Sequence, residues 1–500
     1  MVENVDVIFV NPGNRLSQFG NLSEYATVAQ PLGIAMIASF VREEGFNPKI
    51  IDAEVKEWKP DRTVEEILKY NPLFVGLTTF TTKMTAAGEI LRLLKEKAPE
   101  IKTCIGGHHA SAIPERTLNE EKVDFLIKGE GYYPTLNMLK LLKKNPYSKD
   151  YPVKGVWYKK NGKIISNPDE ELISLEKLPL AAWDLLPMNE YRAHHWQCWE
   201  GRKKNSFALI FSSLGCPFRC DFCSVNVVYG KRIARCMSPK MFVRQIDNLI
   251  ENYNIENYEI IDDTFTLNKD RVIKICDLLT EKKRDLNMWC FARTDRVDPT
   301  MLLKMKKAGI NWVFLGIEAG NELTLSNVLK KQNIKQIRNA VNRIRDAKIY
   351  VGGNYVFGLP GDTMDSMQDT LDLAIDLNCE WSNFFVPMAY PGTALYNNAL
   401  GKGILPRKWE QYGFFAPNSV PLPTEKLTSQ QIIKFRDKAF EVFFSGEKYQ
   451  KMIREKFGDE VLDYIKKMLE KKIERVENPE LEVYEEVKQY LKNNENDCFC

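Results

Sequence analysis

Apolar, β-rich runs alternate with helical patterns twice along this chain, and few folds accept that rhythm. In the first block, strands are expected at Val5–Val10, Lys49–Asp52, Phe74–Thr78, Thr103–Ile105 and Phe125–Lys128. Helical patterns lie between them at Leu32–Glu44, Thr63–Lys69, Lys83–Lys97 and Pro114–Asn119, and a last one follows at Pro134–Lys144. Buried runs spaced by helices give an α/β fold with a doubly wound parallel sheet, whose ligands sit where the carboxyl ends of the strands meet the loops. From Phe207 the alternation resumes, with strands expected at Phe207–Ser212, Tyr258–Ile261, Met288–Ala292, Trp312–Gly316, Val351–Phe357 and Trp381–Pro387. Parallel strands in that number form a partial (β/α)6 barrel with its chemistry at the C-terminal strand ends.

At 500 residues the chain exceeds one ordinary core. The expected division is 1–145 for the first α/β domain, 146–205 for a linker, 206–400 for the barrel and 401–500 for a helical subdomain. The linker carries a hairpin about Asn161-Gly162, a strong turn signal, and the Pro-flanked connector LPLAAWDLLP. In the last part Thr428-Ser-Gln-Gln431 reads as a capping box, and Ile432, Phe435, Ala439 and Val442 recur at helical spacing. A net charge of +3, with both signs interspersed, gives no stripe for nucleic acid. No apolar run is long enough to span a bilayer, and the N-terminus has no signal-peptide pattern, so a cytoplasmic protein is expected. Eleven cysteines in that compartment point to metal or redox chemistry rather than disulfides.

Cys216, Cys220 and Cys223 lie in FALIFSSLGCPFRCDFCS, a strand running into a Gly-Cys-Pro turn. Three thiolates on one short loop can hold three irons of a 4Fe–4S cluster and leave the fourth open to a substrate. A zinc site would want a second CxxC or histidines, and neither follows at suitable spacing. Cys198, Cys236, Cys276, Cys290 and Cys379 are scattered among apolar runs and most read as small core residues, while Cys498 and Cys500 sit in a charged tail.

This triplet resembles that of the radical S-adenosylmethionine superfamily. The resemblance implies that the open iron chelates S-adenosylmethionine and that its cleavage yields a 5′-deoxyadenosyl radical. It places Phe222 against the adenine. Further strand-end segments match in order over about residues 205–395: Asp262 and Asp263 in YEIIDDTF, Arg293 in CFARTD, Glu318 in LGIEAGNE and the Gly358-Leu-Pro-Gly361 turn. The carboxylates are expected on ribose hydroxyls or the amino group, and Arg293 on the carboxylate.

The first domain has no GxGxxG after its first strand, which argues against a dinucleotide. Its strand-end segments are instead QPLGIAM with Pro31, Leu32 and Gly33; TTFTTK with Thr78 and Thr79; GGHHAS with Gly106, Gly107, His108 and His109; and KGEGYY with Gly129, Glu130 and Gly131. Together they resemble the cobalamin-binding domain that precedes the radical domain in one large subclass. The Asp-x-His-x-x-Gly motif that supplies a cobalt ligand in many such domains is absent, and neither His108 nor His109 is assigned as a ligand.

The combined resemblance implies a cobalamin-dependent radical methyltransferase acting on an unactivated carbon. A small molecule or glycan precursor is the expected substrate, and a flavodoxin or ferredoxin the expected electron donor. Three rivals are weighed. Radical cyclisation or rearrangement adds no methyl group to the product. Methylthiolation usually needs extra N-terminal cluster cysteines, whereas the first domain holds only Cys104. A non-enzymatic cobalamin or redox sensor would not cleave S-adenosylmethionine.

Overall fold

In the computed structural model, which describes residues 5–477, the first apolar runs become the strands of one sheet. These are β1 (Val7–Asn11), β2 (Pro48–Asp52), β3 (Phe74–Thr78), β4 (Lys102–Gly106) and β5 (Phe125–Ile127). They pair in parallel in the order β2-β1-β3-β4-β5. The order reverses beside β1, the crevice in which such sheets bind ligands. The hairpin at Asn161-Gly162 forms as β6 (Val156–Lys160) and β7 (Lys163–Ser166), and β6 adds antiparallel to β5. The sheet therefore continues beyond residue 145, where the βα rhythm breaks.

The second block gives β8 (Phe207–Ile210), the short pair β9 (Ser213–Leu214) and β10 (Arg235–Cys236), and then β11 (Asn257–Ile260) and β12 (Asn287–Ala292). β13 (Ile310–Glu318), β14 (Tyr350–Val356) and β15 (Trp381–Phe385) follow. Six of these form an all-parallel sheet in the order β15-β14-β13-β12-β11-β8, a barrel left unclosed. Its outer face packs under helices such as Pro239–Tyr253 and Lys269–Glu281, which bury Phe242, Ile246, Ile275 and Cys276. Aromatic rings plug the floor: Trp196 of the connector lies 4.9 Å from Trp312 and 5.2 Å from Trp289.

The connector ties the domains together. Tyr191 donates to Asp52 at 2.7 Å, and Val28 bridges Arg192. Gln30, just before the helix Leu32–Glu43, donates to Phe207 O at 2.7 Å and accepts from Leu209 N at 3.1 Å, so a side chain pairs with the free edge of β8. The C-terminal part folds as helices Ser429–Ser445, Glu447–Phe457 and Asp459–Glu470, and Thr428 with Gln431 forms the expected capping box. Residues 413–428 before them are irregular. Cys498 and Cys500 lie outside the described residues.

Candidate functional site

The cysteine loop is held by the strand-end carboxylates. Asp262, with no exposed surface, accepts from Ser212 N at 2.6 Å and from the hydroxyls of Ser212 and Ser213 at 2.5 Å. Its lone pairs are taken by the turn, so it shapes the loop and is not open to a ribose, which corrects the expectation from sequence. Asp263 accepts from Gly215 N at 2.9 Å. Gly215 has φ +87°, and a Cβ there would stand 2.2 Å from Ile233 O, so the turn requires glycine. Asn226 brackets Cys216 by accepting from its N–H at 3.3 Å and donating to its carbonyl at 2.8 Å.

Cys216 and Cys220 are half-buried, Cys223 is exposed, and all three are free thiols. Burial pushes the Cys220 thiol up, so its proton leaves when a metal binds. Among the described residues no three His, Cys, Asp or Glu side chains converge on one ion. A cubane does not ask for that, because each thiolate ligates a different iron. A three-thiolate loop with no histidine or fourth cysteine beside it suits an iron–sulfur cluster. Of the scattered cysteines Cys276, Cys290 and Cys379 are buried, Cys198 is half-buried and Cys236 is exposed on β10, which pairs with β9 before the cysteine loop.

At the tops of the next strands, Arg293 is committed to the protein. Its Nε donates to Asp295 at 2.9 Å, its Nη2 to Lys330 O at 3.2 Å, and its guanidinium lies 3.8 Å from the centre of the Phe218 ring within the cysteine loop. It supports that loop through the Phe218 ring. Glu318 has φ +66° and an ion pair with Lys330 at 2.6 Å, both side chains being under a tenth exposed. Lys330 carried no signal in the sequence, since it stands between Leu329 and Lys331 in an unremarked turn. Phe222 packs on the apolar group that includes Leu395, Tyr396 and Tyr412.

The loops of the first domain meet this face. Pro31 precedes the helix, Leu32 is buried, and Gly33 is exposed with no atom within 4 Å of where a Cβ would stand. Thr78 ends β3, and Thr79 donates through N and Oγ1 to Gly106 O at 2.9 and 3.0 Å. Gly107 has φ +101°, with a Cβ position only 2.6 Å from Thr79 O. His108 to Ala112 form a short helix rather than a loop. That turn sends His109 into the core, where its Nδ1 lies 3.2 Å from Thr81 Oγ1 and its ring 4.5 Å from Trp409. His108 stacks at 5.0 Å on Phe80, a phenyl ring 55% exposed. Burial lowers the two imidazoles to about 4 and about 3 respectively, so both are neutral.

Gly129 N–H donates to Ser111 Oγ at 3.0 Å, and its Cβ position is 3.4 Å from Val228 O, just past the cysteines. Glu130 clasps Arg235 through both carboxylate oxygens and accepts from Ile173 N at 3.2 Å. It joins the domains and is not left facing a cofactor, a second correction. At Gly131 a Cβ would meet Ile37 Cδ1 at 2.6 Å. A glycine shelf open at Gly33, an exposed phenyl ring and tightly turned glycines at the switch-point end of the sheet fit a broad planar macrocycle. The clasp brings that end against the cysteine loop.

On the inner face of the barrel most strand positions are buried, and Glu259, Phe291, Gly316, Asn354, Asn383 and Phe385 are half-exposed. Half-exposure in otherwise buried strands marks an open interior. Asn383 donates to Asn354 at 2.9 Å and accepts from Trp381 Nε1 at 2.8 Å.

Comparison with known proteins agrees with this geometry. The B12 binding domain family matches residues 20–137, and the Radical SAM superfamily matches residues 210–374. A protein named as an uncharacterized methyltransferase of Pyrococcus horikoshii is 30% identical over 84% of this chain and 88% of its own length. The anaerobic magnesium-protoporphyrin IX monomethyl ester cyclase of Rubrivivax gelatinosus is 27% identical over 83% of the chain and 73% of its own. In fold, the chain is similar to the radical S-adenosylmethionine methyltransferase TsrM of Kitasatospora setae, with cobalamin and a [4Fe-4S] cluster bound. That likeness has a TM-score of 0.63 at 15% identity, covering 80% of this chain and 78% of TsrM. The cofactors that go with these domains are cobalamin, a 4Fe–4S cluster and S-adenosylmethionine, and no helix among the described residues is long and apolar enough to cross a membrane. With both family domains in this order and a relative 30% identical over most of both chains, the chain belongs to the radical S-adenosylmethionine enzymes that carry a cobalamin-binding domain.

Proposed function

We propose that the enzyme methylates an unactivated carbon of a small molecule or glycan-type substrate held in the barrel interior. The observation that carries this is the Glu130–Arg235 clasp, which holds the loop after β5 beside the segment that follows the cysteines. Bound there, the cluster with S-adenosylmethionine supplies a hydrogen-abstracting radical, and cobalamin supplies a methyl group. The chain's own work is to hold the thiolates on a rigid turn, to keep the substrate between the two loop sets and to keep water out. Cys216, Cys220 and Cys223 are the proposed cluster ligands. Asp263 and Phe222 are the groups left to face S-adenosylmethionine, with the buried Glu318–Lys330 pair at the next strand top. The shelf at Pro31–Gly33, Thr78–Thr79 and Gly106–His108 is left for cobalamin. An external one-electron donor, a flavodoxin or ferredoxin, completes the reaction.

Ring closure without methyl transfer is the second reading, favoured by the similarity to the Rubrivivax cyclase. The two differ in what becomes of S-adenosylmethionine. A methylating enzyme turns one molecule into S-adenosylhomocysteine and another into 5′-deoxyadenosine, whereas a cyclase makes no S-adenosylhomocysteine. The anaerobically reconstituted enzyme with cobalamin and a chemical reductant is expected to make both products. It is expected to make no 5′-deoxyadenosine once the three cysteines are alanine. Continued cleavage in that variant overturns the cluster assignment, and absence of S-adenosylhomocysteine from the wild type favours the cyclase.

A further inference from the structure

Glu259 is a carboxyl group that nothing above employs. It lies on β11 in register with Leu209 of β8 and Trp289 of β12, so all three side chains share one face of the sheet. That face is the barrel interior, because Trp289 there packs on Trp196, Phe291 and Phe314. The neighbours Tyr258 and Ile260 turn the other way and are fully buried. Glu259 alone on β11 keeps exposure, and among the described residues no hydrogen bond or ion pair reaches its side chain. Four residues along the strand stands Asp263 beside the cysteine loop, which at the strand rise places Glu259 roughly 13 Å deeper.

The surroundings offer it no positive charge. The half-exposed strand positions on this face hold Phe291, Gly316, Tyr350, Asn354, Trp381, Asn383 and Phe385, but neither lysine nor arginine. At the strand tops Arg293 is paired with Asp295, and Lys330 with Glu318. His194, 5.8 Å from Trp289 and stacked on Trp196, is held neutral by burial, with its imidazole lowered to about 4. Burial alone pushes the Glu259 carboxyl up to about 8. An anion carried into this space would meet a carboxyl group, apolar rings and no counter-charge, a costly arrangement. An amine, amide or hydroxyl would meet an unused hydrogen-bonding partner, with Asn354 and Asn383 on the opposite wall.

We propose that Glu259 receives the inserted end of the substrate, and that this end is neutral or cationic with a hydrogen-bond donor on an apolar body, never an anion. This rests on the function proposed above only in taking the barrel interior as the substrate's place. The test uses three matched probes on the holoenzyme, loaded with cluster, cobalamin and S-adenosylmethionine: benzylamine, benzyl alcohol and benzoate, with affinities read by calorimetry. Benzylamine should bind at least about tenfold more tightly than benzoate, a difference of about 1.4 kcal/mol. In Glu259→Gln that ratio should fall to about threefold or less, about 0.7 kcal/mol, with benzyl alcohol unchanged. Equal binding of benzoate and benzylamine, an unaltered ratio in the variant, or no binding of benzylamine overturns the proposal. If Glu259→Gln does not fold, the wild-type infrared difference spectrum decides. Benzylamine should then remove a protonated-carboxyl stretch, and an unchanged spectrum refutes the assignment. Production of 5′-deoxyadenosine on the same preparations keeps the two readings apart, since its loss bears on the radical reaction and the probe ratio bears only on Glu259.

Discussion

Replacing Asp262 with alanine removes the acceptor for one backbone N–H and two hydroxyls, all buried between β8 and the cysteine loop. Each buried donor left without a partner costs about 1–3 kcal/mol, so the turn should lose about 3 kcal/mol or more. Hydrogen exchange at the Ser212 amide reads this locally, and about 3 kcal/mol is roughly a hundredfold faster opening. Iron content after anaerobic reconstitution should fall with it, because Gly215 and Cys216 follow directly. Asparagine at the same place keeps one oxygen for Ser212 N and offers an NH2 to the hydroxyl oxygens, which can rotate to accept, so Asp262→Asn should cost only about 1 kcal/mol. The reasoning fails if Asp262→Ala leaves Ser212 exchange and iron content as in the wild type but weakens S-adenosylmethionine binding. That pattern would mean that the carboxylate faces the cosubstrate after all.

Three further outcomes are expected. Gln30→Ala leaves Phe207 O and Leu209 N unpaired at the domain junction and should lower stability by about 2 kcal/mol, read as a drop in melting temperature; an unchanged melting temperature would contradict the clamp. Gly215→Ala puts a Cβ 2.2 Å from Ile233 O and gives alanine a left-handed φ worth about 1–2 kcal/mol, so reconstituted iron should fall below half of the wild-type value, and full loading would refute the strain. His109, neutral in the fold with its imidazole lowered to about 3, titrates near 6.5 when unfolded. Its contribution is therefore complete above that pH and is lost as pH falls from 6.5 towards 3, at about 1.4 kcal/mol per pH unit. His109→Phe should flatten the acid limb of a melting-temperature profile by one proton, and an identical slope would show that the ring is not held neutral.

Most of the strand positions were legible, because period and length separate buried strands from helices. The cysteine triplet was legible because its spacing has few other uses. What stayed hidden was which way a strand-end group turns. Asp262 and Asp263 are adjacent and look alike in the sequence, yet one is consumed by two serines while the other stays half-exposed beside Gly215. Glu130 sits in a glycine-rich loop typical of ligand contact, but its partner Arg235 is 105 positions away, beyond the reach of any local pattern. His109 looked like its neighbour until Gly107 turned the chain and sent it inward. Lys330 and Gln30 gave no periodic or motif signal at all, since one side chain reaching a distant backbone or carboxylate leaves no spacing to read.

An arc of six strands has two raw edges, and this chain covers each with a side chain from elsewhere. Gln30 occupies the β8 edge, while on β15 Arg436 Nε donates to Phe384 O at 2.8 Å and Tyr449 OH to Glu380 O, next to the strand, at 3.1 Å. A bare edge would recruit a strand from a second molecule, so a barrel left unclosed would also invite self-association and fibres. The groups that prevent this come from opposite ends of the chain. A nascent polypeptide stopped before residue 429 would carry an uncovered β15, and the helices Ser429–Ser445 and Glu447–Phe457 therefore act as built-in protection against aggregation during synthesis.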